Sequence, residues 1–224
     1  PTARDNMKGI VKLPNSDKDN RHHADSQNPL MPWFSSVIIV CGQKGSGKTN
    51  LTLNMISKAT PLYDRIVVVH GAGESSSEYQ DLIDGCELVE AIPGPEFWDP
   101  DVKNCLVIEE QPWGLFNRAQ VSAAERCVNF TSSHRSVQVF IVVQNYGILP
   151  VTIKRSCDYL CMAPHMGCLD QLYDLKRRTG VDFKKMMEDI CHDRHDFICM
   201  DFTDRVPGAK LRKNMLEVIE DLEE

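Results

Sequence analysis

The sequence lacks both a long apolar run and an excess of basic charge. Its apolar stretches are only strand-length, far short of the ~20 residues that a transmembrane helix needs, and no basic–apolar–small leader is present. No membrane span is therefore expected. The 25 Lys and Arg residues are outnumbered by 32 Asp and Glu, for a net charge of −7. This balance excludes a surface coated in basic residues for nucleic acid, although a local basic strip in a pore or cleft is compatible with it.

The nine cysteines contain no C-x-x-C knuckle. Five lie in or beside apolar runs, where a thiol behaves as a small hydrophobe: Cys41, Cys105, Cys157, Cys161 and Cys199. The residues that zinc could use are Cys157, Cys161, Cys168, Cys191, His192 and His195, but their spacing does not match a zinc motif. Buried thiols in a reducing compartment are the favoured interpretation.

Short β-rich runs alternate with helix-like segments along most of the chain. The predicted strands cover 36–41, 65–70, 104–110, 137–144, 158–163 and 196–202, and the predicted helices cover 48–59, 76–84, 118–132, 168–178 and 182–191. Several of the strand runs are apolar throughout, which is typical of strands that are buried on both faces. The alternation predicts an α/β fold in which helices cover both faces of a mainly parallel central sheet.

The two ends of the chain differ from this pattern. Residues 1–32 are polar and without periodicity, so we expect a flexible segment that precedes a domain over 33–205. Residues 206–224 are expected to form an amphipathic helix, because Leu211, Met215, Val218, Ile219 and Leu222 recur at helical spacing. Its charges run opposite to the preference of the helix dipole, which indicates a helix docked on its own sheet or on a neighbouring subunit.

A phosphate-binding motif joins the first predicted strand to the first predicted helix. Residues 42–49 read GQKGSGKT and match G-x-x-x-x-G-K-[ST]. Glycines let the backbone approach an anion closely, Lys48 reaches the β- and γ-phosphates, and the Thr49 hydroxyl ligates Mg²⁺. The predicted ATP-binding residues are Gly42, Gln43, Lys44, Gly45, Ser46, Gly47, Lys48, Thr49 and Asn50.

Two adjacent carboxylates end another apolar strand. In CLVIEE, Glu109 is expected to hold the metal near Thr49, whereas Glu110 orients and deprotonates the attacking water. A small-molecule kinase would more often lack the second carboxylate, because it must exclude water. The next strand ends at Gln144, whose amide can contact both the γ-phosphate and that water.

These residues together resemble the FtsK/HerA superfamily, and in particular the genome-packaging ATPases of poxviruses, giant viruses and virophages. GQKGSGKT, CLVIEE, SSHRSVQVFIVVQN and ILPVTIKRSCDYLCMAP carry the resemblance, which covers about residues 33–205. It implies a P-loop NTPase of the ASCE type that uses ATP and Mg²⁺ to drive double-stranded DNA into a preformed capsid. The Glu-Glu pair departs from the more usual Asp-Glu, so the side chain expected to face the metal is longer by one methylene group.

The resemblance also implies partners and a place of action. Such motors form homo-oligomeric rings, here a pentamer or hexamer, on a capsid portal or vertex protein. They act at sites of virion assembly in the host cytoplasm or nucleus, with association with the virion as the alternative. A neighbouring subunit usually supplies an arginine, for which Arg135 is the first candidate and Arg155 the second. The candidate DNA contacts are Lys154, Lys176, Arg177, Arg178, Lys184 and Lys185.

Two other functions remain open from the sequence. A small-molecule kinase would need a basic lid, for which residues 176–178 and 184–185 are weak candidates. A nucleotide-gated scaffold protein would bind ATP and assemble without working as a motor.

Overall fold

The computed structural model describes residues 31–32, 34–59, 62–70, 79, 85–109, 111–164, 169–203 and 210–219. Within these ranges, no helix combines the length and the apolarity needed to cross a bilayer. The predictions for residues 1–30, and for most of the helix expected over 76–84, lie outside the described residues.

The described strands form one nine-stranded sheet in the order β3-β2-β4-β5-β1-β6-β7-β8-β9. They are β1 (Val37–Cys41), β2 (Arg65–His70), β3 (Glu87–Val89), β4 (Asn104–Glu109), β5 (Val137–Val143), β6 (Tyr159–Met162), β7 (Ile198–Asp201), β8 (Leu211–Lys213) and β9 (Glu217–Val218). Pairing is parallel from β3 to β6 and antiparallel from β6 to β9. The mainly parallel sheet predicted from the apolar runs is confirmed.

The described helices lie between β1 and β7 along the chain. They are α1 (Lys48–Ser57), α2 (Arg118–Arg126), α3 (Val151–Arg155), α4 (Leu169–Thr179) and α5 (Phe183–Ile190). α2 continues through a π-helical stretch, Cys127–Thr131, into a last turn at Ser132–His134. Short 3₁₀ turns lie at Pro95–Phe97, Trp113–Leu115 and Tyr146–Ile148. These bounds confirm four of the five predicted helices to within a few residues.

Local sequence sets where two of the helices begin. Asn117 caps α2, because its side chain accepts from the backbone of Gln120 while the Gln120 side chain accepts from the backbone of Asn117. Asp182 caps α5 by accepting from the backbone of Lys185 at 3.1 Å. Both starts are readable from the sequence.

The core lies on both faces of the sheet. All five residues of β1 are buried, with Val37, Ile39 and Cys41 in one apolar cluster and Ile38 and Val40 in the other. Burial on both faces favours continuous runs of branched side chains over strict alternation. The carboxyl ends of the parallel strands therefore meet at one well-supported edge of the sheet, where the phosphate-binding motif begins.

The C-terminal helix predicted over 206–224 is wrong for the described part of that segment, where β8 and β9 form a hairpin that extends the sheet. Asn214 and Met215 adopt left-handed φ values of 53° and 60°, and the Leu216 N–H donates to the Lys213 carbonyl at 3.0 Å. Asn tolerates this backbone conformation better than most residues, so it suits a turn. The ordered domain consequently continues past the predicted boundary at 205, to at least residue 218.

A buried ion pair holds the hairpin to the sheet. The Arg212 guanidinium donates to Asp201 at 2.6 Å, and the two side chains are only 1% and 2% exposed. Arg212 also lies over the ring of Tyr159, 5.8 Å from its centroid. A helix would not place Arg212 opposite Asp201 in this way.

Candidate functional site

The phosphate-binding motif forms a glycine-dependent loop between β1 and α1. Gly45 and Gly47 have φ values of 76° and 88°, a region that other residues rarely adopt. A side chain at Gly42 would lie 2.5 Å from the Ser46 hydroxyl and 2.7 Å from the Ala163 side chain. Backbone shape and close packing thus explain why glycine occupies these three positions.

The loop offers positive groups to an anion. α1 begins at Lys48, directly after Gly47, which supplies no side-chain cap. The first backbone N–H groups of a helix have no intrahelical partner, and they attract negative charge. Lys48 is 5% exposed, and its ammonium donates to the Gln43 carbonyl at 3.1 Å across the loop.

The loop also contains a buried hydroxyl that a ligand could satisfy. Ser46 Oγ has no hydrogen-bond partner among the described residues. A buried polar group of this kind is costly unless something bonds to it. The residues of the loop therefore fit a bound phosphate.

Thr49 and Glu109 are brought together from elements 60 residues apart. The Thr49 hydroxyl donates to Glu109 Oε1 at 2.7 Å, and Glu109, at the carboxyl end of β4, is 7% exposed. Hydroxyl and carboxylate oxygens are the hard ligands that Mg²⁺ prefers. The pair therefore fits the predicted metal site.

The end of β4 is fixed by a residue that the sequence interpretation overlooked. Gln111 is buried, and its amide donates to the carbonyls of Val69 at 3.2 Å and Glu109 at 3.1 Å. It thereby ties the ends of β2 and β4 together. A polar side chain two positions after a buried strand end was the available signal. Glu110, the predicted base, lies outside the described residues.

The strand that carries Gln144 lies between the two halves of the site. β5 pairs with β1 on one side and with β4 on the other, and the Gly42 N–H donates to the Val143 carbonyl at 3.1 Å. Gln144, the next residue, is exposed beside the start of the loop. β5 thus lies between β1, which leads into the phosphate loop, and β4, which ends at Glu109. This is the strand order expected for a P-loop NTPase of the ASCE type.

The two candidate arginines lie at the opposite edge of the sheet. Arg135 precedes β5 and accepts a hydrogen bond on its carbonyl from Asn104, the first residue of β4. Arg155 ends α3, three residues before Asp158, whose N–H donates to Val37 at the start of β1. Seven residues of strand separate this edge from the loop by about 20 Å. Neither arginine therefore lies near the phosphate loop of this chain.

Several of the predicted DNA contacts already have partners. Lys176 pairs with Asp182 at 2.6 Å, and Lys184 lies 3.9 Å from Glu188. Lys154 donates to the Gly147 carbonyl at 2.9 Å. Arg177 and Lys185 are exposed, and the Arg178 side chain is outside the described set. Five of the six lie on α4 and α5, and Lys154 lies on α3.

The cysteines are packing residues where the structure describes them. All five predicted buried thiols are buried, and burial raises the pKa of Cys41 to about 12. No group of three metal-binding side chains that could hold an ion occurs among the described residues. Cys168 lies outside the described residues.

A cavity of about 220 Å³ lies beside the phosphate loop, between α1 and the β7–β9 unit. Gly47 lines it, together with His195, Phe197, Asn214 and Leu216. The sequence interpretation did not place these residues near the loop, because it assigned 206–224 to a helix and considered His195 only for zinc. The one available signal was the apolar strand predicted directly after residues 192–195.

No protein-family model matches this sequence, and no curated protein matches it. Solved structures do. The DNA-packaging ATPase B204 from Sulfolobus Turreted Icosahedral Virus superposes with a TM-score of 0.57 at 12% identity, over 80% of this chain and 96% of that chain. This chain has the α/β P-loop NTPase fold.

Two further structures share the P-loop NTPase fold. The genome packaging NTPase B204 from Sulfolobus turreted icosahedral virus 2, in complex with ATP-gammaS, superposes with a TM-score of 0.55 at 14% identity, over 80% of this chain and 96% of that chain. The pCW3 conjugation coupling protein TcpA, in its monomer form with ATPgS, gives a TM-score of 0.51 at 12% identity, over 80% of this chain and 59% of that chain. The fold implied by the FtsK/HerA resemblance is therefore confirmed.

Proposed function

We propose that this chain is a Mg²⁺-dependent ATPase that translocates double-stranded DNA into a preformed viral capsid. The observation that carries the proposal is the 2.7 Å contact between the Thr49 hydroxyl and Glu109. It joins a phosphate loop to a strand-end carboxylate across the inserted strand β5, which is the geometry of a hydrolytic site.

Each residue of the site has a separate task in this proposal. The loop backbone and Lys48 bind the β- and γ-phosphates, while Thr49 and Glu109 hold Mg²⁺. When bound, Mg²⁺ offsets phosphate charge and orients the leaving group. Glu110 accepts the proton of the attacking water, and Gln144 contacts that water and the γ-phosphate. Arg135, or alternatively Arg155, completes the site of the next subunit in a ring.

The structural neighbours support the choice of DNA as the substrate that is moved. Two of them are described as packaging enzymes of viruses and one as a conjugation coupling protein. Their names fit a motor acting on DNA better than a small-molecule kinase or a static scaffold. We place the activity at sites of virion assembly in the host cytoplasm or nucleus, on a portal or vertex protein of the capsid.

In this proposal, a small number of Lys and Arg side chains supply the affinity for DNA. With a net charge of −7, the whole surface cannot supply the attraction, so affinity depends on a local set within a ring pore. Contacts to phosphates release counterions, and log affinity should fall against log salt concentration with a slope near −0.9 for each phosphate neutralised. Contacts to the backbone carry no sequence information, so preference among duplexes should be slight.

ATP hydrolysis measured with and without duplex DNA tests the proposal. We expect hydrolysis to rise when either of two unrelated duplexes is added, and the stimulation to weaken as salt increases. Lys48→Ala provides the inactive control. Hydrolysis that is indifferent to DNA would contradict the motor and favour the scaffold, whereas phosphorylation of an added small acceptor would favour the kinase.

A further inference from the structure

The turn that carries Arg135 is held by a buried side chain from a neighbouring strand. Asn104, the first residue of β4, is 0% exposed, and its amide group donates to the Arg135 carbonyl at 3.2 Å. The same amide group donates to the carbonyls of Asp99 at 2.8 Å and Val102 at 3.1 Å, in the segment that precedes β4. The backbone N–H of Asn104 donates to the Ser136 carbonyl at 3.0 Å. Asn104 therefore bonds to two consecutive residues of the turn.

The backbone of this turn has a conformation that depends on its surroundings. Ser136 has a left-handed φ of 53°, which is unfavourable for a residue with a side chain and persists where neighbouring structure imposes it. The Arg135 N–H donates to the Thr131 carbonyl at 2.9 Å, in the helical segment before the turn. The turn is thus fixed both by the preceding helix and by Asn104.

The donor group is the part of the Asn104 side chain that the fold uses. Its Oδ1 atom is buried without a hydrogen-bond partner among the described residues, and a buried unpaired carbonyl oxygen is destabilising. The next four residues of β4, 105–108, are apolar, and an apolar side chain at position 104 would avoid that cost. Departures from local packing rules of this kind are expected at functional or strained positions.

The same strand connects the Arg135 turn to the acidic end of the sheet. All six residues of β4 are buried, and its last residue, Glu109, contacts the Thr49 hydroxyl at 2.7 Å. β4 therefore gives the turn a defined position within its own subunit. This matters for an arginine that acts on an adjacent subunit, because a misplacement of about 1 Å can cost about 100-fold in rate.

We propose that Asn104 is a positioning residue for Arg135, because its amide group holds the turn from which Arg135 serves the phosphates of the adjacent subunit. The inference rests on the proposed function, since it assumes that Arg135 acts in that site. It adds a residue at the edge of the sheet opposite the phosphate loop that controls turnover through the arginine.

Asn104→Leu tests the proposal, because leucine has a similar size, has no donor group and also removes the unpaired Oδ1. We expect the affinity for ATP to stay within about twofold of the wild type, since the phosphate loop is intact. kcat should fall about 10- to 100-fold. Asn104→Ser, which has one donor in place of two, is a second variant and should show a smaller loss. Calorimetry measures binding, and phosphate release measures turnover.

Gln138→Met is the matched control. Gln138 pairs in register with Cys105, directly beside Asn104, and is 0% exposed. Its amide group donates to the Ser36 hydroxyl at 2.7 Å, so it holds a different segment of the same edge. The substitution also removes a buried amide, and it should lower stability without lowering turnover. Urea unfolding identifies the variants that are folded under the assay conditions.

Mixed assemblies supply a readout that a general structural defect would not reproduce. Asn104→Leu subunits have intact loops, so Lys48→Ala neighbours, in which Arg135 is well placed, should restore turnover. Arg135→Ala neighbours should not restore it, because neither kind of subunit then supplies an arginine in the correct position. Mass measurement confirms that both mixtures form assemblies.

The possible results separate this inference from the proposed function. Wild-type turnover in the folded Asn104 variants, or a loss that Lys48→Ala neighbours do not restore, would overturn the positioning role and leave the ATPase intact. Wild-type turnover in Arg135→Ala would also overturn it, because Asn104 would have no catalytic arginine to position. An absence of ATP hydrolysis by the wild-type protein would contradict the proposed function itself, and this inference with it.

Discussion

At the scale of single residues, the contact between Thr49 and Glu109 is the most informative feature of the molecule. Sequence reasoning placed both residues at the metal, and the structure brings their oxygens to 2.7 Å. The proximity of the two side chains was predictable because a phosphate loop and a strand-end acid have characteristic local patterns; their binding of a metal stays a prediction. The sequence interpretation overlooked the contacts of Gln111 and His195, because these contacts depend on which strand ends and loops become neighbours.

Thr49→Val keeps the shape of the side chain and removes the hydroxyl. A hydrogen bond or ligand contact to a charged group contributes about 1.5–3 kcal/mol, so we expect ATP turnover to fall roughly 10- to 100-fold. Thr49→Ser retains the hydroxyl and is the matched control, with turnover close to the wild type. Steady-state hydrolysis at saturating Mg²⁺ measures the difference, and equal rates for the two variants would exclude Thr49 as a ligand.

Glu110→Gln replaces the predicted base by an amide of the same size that cannot take a proton from water. ATP binding should persist, while turnover falls about 10²- to 10⁴-fold. Binding is measured by calorimetry and turnover by phosphate release. Glu109→Gln should differ, because it also weakens the affinity for Mg²⁺ and raises the Mg²⁺ concentration that turnover requires. A Glu110→Gln enzyme that hydrolyses ATP at the wild-type rate would show that the base is another group.

At the scale of elements, the C-terminal hairpin separates what local sequence can predict from what it cannot. The alternation of apolar runs with helix-like segments predicted the parallel strands and most of the described helices, because each pattern acts within one element. Residues 211–219 also fit a helical period, but contacts between distant residues decide their structure. Arg212 needs Asp201, and Asn214 needs Phe197 and Asp196. The unfavourable charge order for a helix dipole was the one local warning.

Asp196 links the hairpin to β7, and its ionised form stabilises that link. Burial opposes ionisation, but hydrogen bonds from the Asp193 backbone, Lys213, Asn214 and the His192 backbone outweigh it and lower the pKa from 3.8 to about 2. Because the pKa is lowered on folding, the stabilisation is present above about pH 4 and is lost as the pH falls through 2.

Asp196→Asn should therefore remove part of the acid sensitivity. Between pH 4 and pH 2 the free energy of unfolding of the wild type should fall by up to about 2 kcal/mol more than that of the variant. Urea unfolding at a series of pH values measures this difference. Glu188→Gln, at an exposed acid, is the control and should retain the wild-type pH profile. Parallel profiles for wild type and Asp196→Asn would contradict a stabilising role for the carboxylate.

At the scale of the whole molecule, the residues proposed for hydrolysis lie at two opposite edges of the sheet. The loop, Glu109 and Gln144 meet at the carboxyl ends of the parallel strands, whereas Arg135 and Arg155 lie at the other edge, about 20 Å away. An arginine at that edge can serve a phosphate only in another subunit. If either arginine acts in hydrolysis, as proposed, full activity should therefore require the proposed ring.

Mixing two inactive variants tests this requirement. Arg135→Ala should leave ATP binding intact and lower turnover by about 10³-fold or more, and Lys48→Ala should abolish turnover in its own site. In mixed assemblies, intact loops of Arg135→Ala subunits can use Arg135 of Lys48→Ala neighbours, so activity should recover. Mass measurement must show that mixed assemblies form. No recovery at any ratio would redirect the role to Arg155 or to a group within one subunit.

Movement along DNA is the central claim, and displacement of a third strand from a DNA triplex measures it most directly. A motor that moves along a duplex removes the short third strand in its path, whereas a kinase or a scaffold leaves it bound. We predict that the wild-type chain, with ATP and Mg²⁺, releases the third strand at a rate that depends on ATP, while Lys48→Ala releases none. Wild-type protein that hydrolyses ATP on the triplex substrate yet leaves the third strand in place would contradict translocation.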